Sequence, residues 1–199
     1  MAEELTLKIC FVGDDKCGKT SLVKSFIGQE FSDDVSPFDE NLIAKEIEHN
    51  GKKITLNLMD PLDDGTGTTA SFYNHANAIC ALFDLTDKDS IQNCKNWLSY
   101  GERYIDNEYV KVIIGCKGDL EHAITKEEGE EVAKGLNCHY FETSCKSGDQ
   151  CKEVYDKIIG ELYDKFIAPT LGGDSGKKGK KDKKAKGGDS GKKKKCVIC

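Results

Sequence analysis

The clearest indication of fold class is the segment Gly13-Asp14-Asp15-Lys16-Cys17-Gly18-Lys19-Thr20. It matches the pattern G-x-x-x-x-G-K-[ST], in which backbone N–H groups of a glycine-containing turn surround phosphate oxygens at a helix N-terminus. A strand-like apolar segment (5–12) precedes it and a helical segment (19–27) follows it, which is the setting that the pattern requires. The alternative, a chance glycine turn before a helix, is disfavoured by this setting. The sequence therefore predicts a phosphate-binding loop.

Strands and helices alternate along the rest of the chain. Period-two or continuously apolar segments predict strands at 42–48, 53–59, 78–83, 110–114 and 139–142. Asn50-Gly51 predicts a hairpin between the first two of these. Helical spacing covers 90–105, a capping box opens a helix at 125–134, and a final helix is expected to end at Pro169. This order predicts an α/β fold: a mostly parallel six-stranded sheet with one antiparallel edge strand and helices on both faces.

Charge divides the chain into an acidic body and a basic tail. The 199 residues carry a formal net charge of −6, yet residues 172–199 contain eleven lysines and only three aspartates. We therefore expect one folded domain over residues 1–171 and a disordered polybasic tail over 172–199. Nucleic-acid binding by a folded part needs a basic face, so the acidic body argues against it.

The cysteine content indicates a reducing compartment. Ten cysteines are scattered through apparent strands and helices, and the opening Met1-Ala2-Glu3-Glu4 lacks the apolar region of a secretion signal. No apolar run approaches the roughly 18 residues that a membrane-spanning helix needs. Any membrane contact is therefore expected to come from an anchor.

Three further stretches carry a family resemblance. Gly115-Cys116-Lys117-Gly118-Asp119 resembles the N-K-x-D motif, Glu142-Thr143-Ser144-Cys145-Lys146 resembles E-T-S-A-K, and Asp60 occupies the place of the D-x-x-G aspartate. With the phosphate-binding loop they make residues 5–168 resemble a small GTPase of the Ras superfamily. Because no long insert follows Asp119, the chain resembles Ras or Rab proteins more than Rho proteins.

The resemblance implies a guanine-nucleotide site with Mg²⁺. Asp119 would accept hydrogen bonds from the guanine ring, the Lys117 stem would lie along the base, and Thr20 and Asp60 would hold the metal, Asp60 through water. Phe31 is either the base-stacking aromatic residue or an ordinary apolar residue. The implied nucleotide-binding set is Gly13, Asp15, Lys16, Cys17, Gly18, Lys19, Thr20, Ser21, Phe31, Cys116, Lys117, Asp119, Leu120, Ser144, Cys145 and Lys146.

Five positions depart from the family pattern. Phe38 follows Pro37 where the family has a metal-binding threonine, Asp63 and Asp64 replace the glycine and glutamine of D-x-x-G-Q, and Asp15 adds bulk beside the reacting phosphate; in addition, Cys116 replaces an asparagine. No catalytic residue is assigned, since Asp64 occupies the slot of the water-positioning glutamine. We expect slow or absent hydrolysis and a weak conformational response to GTP. The alternative is that the loops have rearranged to do the same work.

The tail ends in Cys196-Val197-Ile198-Cys199, which fits a C-a-a-X prenylation motif with Cys196 as the lipidated residue. Farnesyl and geranylgeranyl both remain open. A single lipid chain binds membranes only marginally, and each upstream lysine adds about 1 kcal/mol at an anionic surface. The rival interpretations are a C-x-x-C metal or redox pair and a nuclear-import or nucleic-acid patch.

Together these features predict a membrane-anchored guanine-nucleotide-binding protein that acts as a signalling or trafficking switch or scaffold. We expect a monomer on the cytoplasmic face of the plasma membrane or an endomembrane, with a cytosolic pool. Effectors would bind residues 29–48 and 61–75, and an exchange factor is expected. The alternatives are an active GTPase that depends on a GTPase-activating protein, and an interaction module without nucleotide.

Overall fold

The computed structural model describes residues 5–61 and 69–171. The strands are β1 (Leu5–Gly13), β2 (Leu42–His49), β3 (Lys52–Met59), β4 (Ala78–Asp84), β5 (Val110–Cys116) and β6 (His139–Glu142). The helices are α1 (Lys19–Ile27), α2 (Ala70–Tyr73), α3 (Ser90–Gly101), α4 (Lys126–Leu136), α5 (Cys151–Leu162) and α6 (Ala168–Leu171).

The strands form one six-stranded sheet in the order β2-β3-β1-β4-β5-β6. Every pairing is parallel except β2 with β3, which confirms the predicted architecture. Asn50 and Gly51 turn the hairpin with positive φ of 49° and 70°. Gly13 pairs with Leu82, and Gly115 pairs with both Phe83 and Glu142, so the carboxyl ends of four strands lie along one edge. Ligands of parallel α/β sheets bind at this edge.

The sheet separates two apolar cores. Alternate residues of β1 point to opposite faces: Phe11 packs with α1 and α5, whereas Cys10 and Val12 pack with α3 and α4. Eight cysteines lie within the described residues and all are free thiols, six of them buried. Within the described ranges no helix has the length and apolarity to cross a membrane.

The structure corrects two helix boundaries. The helical segment 90–105 divides, because α3 ends at Gly101 and a 3₁₀ turn covers Glu102–Tyr104. Pro169 does not end the last helix: α5 passes into a π turn (Tyr163–Ile167) and then α6, which runs to Leu171. Proline is tolerated because it lies in the first turn of the restarted α-helical segment, where its missing N–H is not required. The capping box at Thr125 is confirmed.

Candidate nucleotide-binding site

A cavity of about 560 Å³ opens at the carboxyl edge of the sheet. Thirteen of the sixteen residues implied by the sequence line it, and Gly13, Cys17 and Ser144 are not among the lining residues. Sequence reasoning placed three further lining residues only within a loop, namely Asp33, Asp34 and Val35. The complete lining is Asp15, Lys16, Gly18, Lys19, Thr20, Ser21, Phe31, Asp33, Asp34, Val35, Cys116, Lys117, Asp119, Leu120, Cys145 and Lys146.

The phosphate-binding loop forms a tight turn at one end of the cavity. Gly13 has φ of +148°, and a Cβ there would lie 2.4 Å from the carbonyl oxygen of Leu82, so the strand packs too closely for any side chain. Lys19 is only 7% exposed, and its Nζ donates to the carbonyl oxygens of Gly13 (3.2 Å) and Asp14 (2.7 Å). The ammonium group is therefore held inside the turn, where phosphate oxygens would compete with carbonyl acceptors.

The loop is tied to α3 through a carboxylate that the sequence did not single out. Asn93 Nδ2 donates to Asp14 Oδ2 (2.8 Å), and Trp97 Nε1 donates to Asp14 Oδ1 (2.9 Å). In contrast, Asp15 is exposed and its carboxylate faces Lys16 at 3.9 Å. The first aspartate of the loop therefore has a positioning contact, and the second faces solvent at the cavity rim.

Two oxygen-bearing side chains meet beside Lys19. The Thr20 hydroxyl donates to Asp60 Oδ2 at 2.8 Å, and Asp60 is 3% exposed. Forty residues separate them in sequence, so the fold alone brings them together. Hydroxyl and carboxylate oxygens are the donors that Mg²⁺ prefers, and the pair fits the metal that the sequence implied.

The other end of the cavity carries the groups expected to recognise a base. Ser144 Oγ donates to Asp119 Oδ1 at 2.5 Å and fixes the carboxylate. Lys117 has an uncommon positive φ of 65°, and its Nζ donates to Asp84 Oδ2 at 2.6 Å. Burial alone would raise the pKa of Asp84, but hydrogen bonds from Lys117 and Thr86 outweigh it and lower that pKa.

Cys116 joins the two ends of the cavity by packing. It is 2% exposed, and a Cβ built on Gly18 would lie 3.2 Å from the Cys116 Cβ. Burial raises the pKa of this thiol well above its usual range. The phosphate-binding loop and β5 are therefore coupled here by close apolar contact, where an asparagine would offer hydrogen bonds.

Phe38 faces the core and does not line the cavity. Its ring packs against the core under α1 and α5, with Lys24 Nζ 5.6 Å from the ring centroid. The same Nζ donates to the Ser36 carbonyl at 2.7 Å, so α1 holds this part of the loop. Closer to the cavity, Asp33 faces Lys146 at 3.6 Å, an exposed pair that contributes little to stability. Asp63 and Asp64 lie outside the described residues.

The fold and the site define a phosphate-binding-loop protein of the small GTPase class. The Ras family model matches residues 8–164, and the chain belongs to the Ras family. It is 27% identical to the Ras-related protein RabC of Dictyostelium discoideum, covering 81% of this chain and 86% of the relative. It is also 27% identical to the Ras-related protein SEC4 of Candida albicans (89% and 87% covered) and 30% identical to the Ras-related protein Rab-26 of Rattus norvegicus (80% and 64% covered). Members of this family generally bind GTP and GDP with Mg²⁺.

Proposed function

We propose that the protein is a guanine-nucleotide-binding switch or scaffold of signalling or trafficking whose own GTP hydrolysis is slow or absent. The observation that carries the proposal is the single cavity lined by both Lys19 and Asp119. A phosphate-binding lysine and a base-reading carboxylate face one space, as a nucleoside phosphate requires. The Asp119–Ser144 contact supports guanine, because a fixed carboxylate accepts from the N1–H and amine of guanine and adenine lacks that pair of donors.

The proposed nucleotide binding depends on residues that match the family pattern. Lys19 would pair with the β- and γ-phosphates, and Thr20 with Asp60 would hold Mg²⁺, which neutralises phosphate charge. The exposed ring of Phe31, 39% accessible and on the cavity wall, offers a face to the base.

Slow hydrolysis rests on the missing groups. The Phe38 side chain has no ligand atom and is partly buried against the core, so we expect it to take no part in sensing a γ-phosphate. Asp33 and Asp34 bring negative charge to the cavity wall, and Asp64 would bring more. Intrinsic turnover in this class is about 10⁻⁴ per second even with a glutamine in place, and we expect a lower rate here.

The tail extends the proposal to a membrane. We place the domain boundary at residue 171, with residues 172–199 as a polybasic segment that is prenylated on Cys196. The lipid and eleven lysines would together bind an anionic leaflet. Protein purified from eukaryotic cells should bind vesicles with anionic lipid and lose that binding in Cys196→Ser, whereas Cys199→Ala should retain it. Equal binding by Cys196→Ser would exclude the lipid anchor.

The decisive experiment on the nucleotide is to denature the purified protein and identify what it releases. Stoichiometric GTP would mean binding without hydrolysis, and GDP would be followed by a single-turnover assay that expects a rate below about 10⁻⁴ per second. Lys19→Ala should abolish binding, whereas Lys152→Ala, an exposed lysine of α5 outside the cavity lining, should retain it. Turnover at ordinary family rates would support the active GTPase with rearranged loops. Protein that is empty and fails to load would support the interaction module.

A further inference from the structure

Two cysteines flank the loop that fixes Asp119. Cys145 lines the cavity and is partly exposed, and Cys151 is the first, buried residue of α5. Their sulfur atoms lie 4.0 Å apart. Residues 146–150 between them are all exposed, and two of them, Gly148 and Gln150, have positive φ. The thiols therefore stand at the two ends of a short surface loop, in which the Asp149 carbonyl oxygen accepts hydrogen bonds from the Ser144 N–H and the Thr143 hydroxyl.

We propose that Cys145 and Cys151 form an oxidisable dithiol, a modification site at which hydrogen peroxide closes an intramolecular disulfide and weakens guanine-nucleotide binding. The inference rests on the proposed function for its consequence, although the chemistry of the pair does not. Closing the bond requires the sulfurs to approach from 4.0 Å to about 2.0 Å, within reach of a loop with no buried residues.

Two polar groups contact the Cys151 sulfur. The Thr143 hydroxyl lies 2.9 Å from the Cys151 sulfur, and the Cys145 thiol lies on its other side. The contact with Cys145 lowers the pKa of Cys151 more than burial raises it, and the Thr143 hydroxyl contributes to this lowering. By contrast, burial raises the pKa of Cys10 and Cys80 and keeps these thiols inert.

The reaction balances with one peroxide. The thiolate attacks a peroxide oxygen, the O–O bond breaks, and the departing hydroxide takes a proton to leave as water, giving a sulfenic acid. The second thiol then attacks the sulfenic sulfur, the S–S bond forms and a second water leaves. Two thiols are oxidised by two electrons and one peroxide is reduced to two waters. A thiol reductant reverses the change.

The consequence follows from the neighbour of Cys145. Ser144 holds Asp119 at 2.5 Å, and pulling Cys145 towards α5 displaces this hydroxyl and the backbone N–H that would face the guanine oxygen. Losing one hydrogen bond to a charged group costs about a tenfold change in affinity, so GDP release should accelerate about tenfold. A bound nucleotide would cover Cys145, and GDP should slow the oxidation.

Trypsin separates the two cysteines, which makes the test direct. Cleavage after lysine puts Cys145 in peptide 135–146, together with Cys138, and Cys151 in peptide 147–152. After peroxide treatment of the full chain, non-reducing mass spectrometry should find these peptides joined with the loss of two hydrogens. This disulfide-linked peptide pair should persist in Cys138→Ser and be absent in Cys145→Ser and in Cys151→Ser. No joined peptides, or a join that survives Cys145→Ser, overturns the site.

Nucleotide release provides the second readout. Peroxide should accelerate release of fluorescent GDP in the natural sequence and in Cys138→Ser, and a thiol reductant should reverse it. Peroxide should leave the release rate of Cys151→Ser at its own untreated value. A disulfide that forms without changing release overturns the coupling to nucleotide. A protein that never binds nucleotide defeats the proposed function, while the joined peptides still decide whether the dithiol exists.

Discussion

Trp97 donates the hydrogen of its indole nitrogen to Asp14 across 83 residues of sequence, at 2.9 Å. Because the chain has one tryptophan, the only indole is attached to the phosphate-binding loop. We expect its fluorescence to change when Mg²⁺ is chelated and nucleotide leaves, since the loop that holds its N–H must readjust. Trp97→Phe removes the signal, and a fluorescent nucleotide then measures release independently. An emission spectrum that is unchanged on release would contradict a loop that responds to phosphate.

Replacing Asp14 should damage the loop more than replacing its neighbour. Asp14→Ala leaves Asn93 and Trp97 without their acceptor, at a cost of about 1–3 kcal/mol in the free energy of unfolding. Nucleotide release should also accelerate. Asp15→Ala is the matched control, because its carboxylate is exposed and lies 3.9 Å from an exposed lysine, Lys16. Urea unfolding compares the two variants, and equal losses would mean that the α3 contact carries no stability.

Asp119→Ala should reduce both affinity and base selectivity. A carboxylate that accepts two hydrogen bonds from guanine accounts for about 3 kcal/mol, so affinity for GDP should fall about 100-fold. Affinity for ADP, which makes no use of this carboxylate, should stay the same. The control Glu121→Ala lies two residues on and outside the cavity lining. Titration calorimetry with both nucleotides gives the ratio of the affinities for GDP and ADP. An unchanged ratio in Asp119→Ala would mean that other residues recognise the base.

The Asp84–Lys117 pair predicts a pH dependence of stability. The folded pKa of Asp84 is lowered, so its contribution is present above its unfolded pKa and is lost as pH falls through the folded value. Asp84→Asn should cost about 1 kcal/mol at pH 7, since Lys117 is partly exposed, and this cost should shrink as pH falls from about 4 through the lowered folded pKa of Asp84. Asp106→Asn, at an exposed site, serves as the control. A variant equally weakened at low pH would show that packing, and not charge, is responsible.

Two glycines of α4 should respond in opposite directions to alanine. A Cβ on Gly129 would lie 2.3 Å from the Tyr140 ring, whereas one on Gly135 would meet nothing within 4 Å. Alanine favours a helix by about 1 kcal/mol over glycine, so Gly135→Ala should stabilise. Overpacking costs about 1–3 kcal/mol, so Gly129→Ala should destabilise in spite of the same gain. Thermal unfolding decides, and a stabilised Gly129→Ala would mean that Tyr140 moves aside freely.

The sequence predicted the parts of the site that are carried by local patterns. The phosphate-binding loop was indicated by its lysine, its glycines and its flanking segments, and the stretches around Asp119 and Ser144 were indicated by their resemblance to family motifs. It did not predict the Asp14–Trp97 contact, because the register of α3 against β1 is set by tertiary packing. The direction of the Phe38 side chain was open for the same reason, because the sequence of a loop does not distinguish an apolar residue that faces solvent from one that faces the core. The restart of the last helix beyond Pro169 depends on a π turn that has no sequence signature.

The buried thiols make the two faces of the sheet separately observable. Cys10 and Cys94 belong to the core under α3 and α4, and Cys80 belongs to the core under α1 and α5. A buried thiol reacts with an alkylating reagent only when its surroundings open. The alkylation rate of each cysteine therefore reports how often its own core opens. Pulsed alkylation followed by mass spectrometry would measure the opening rates of both cores in one sample, without an introduced probe. The natural chain thus carries internal probes that distinguish loosening on one side of the sheet from global unfolding.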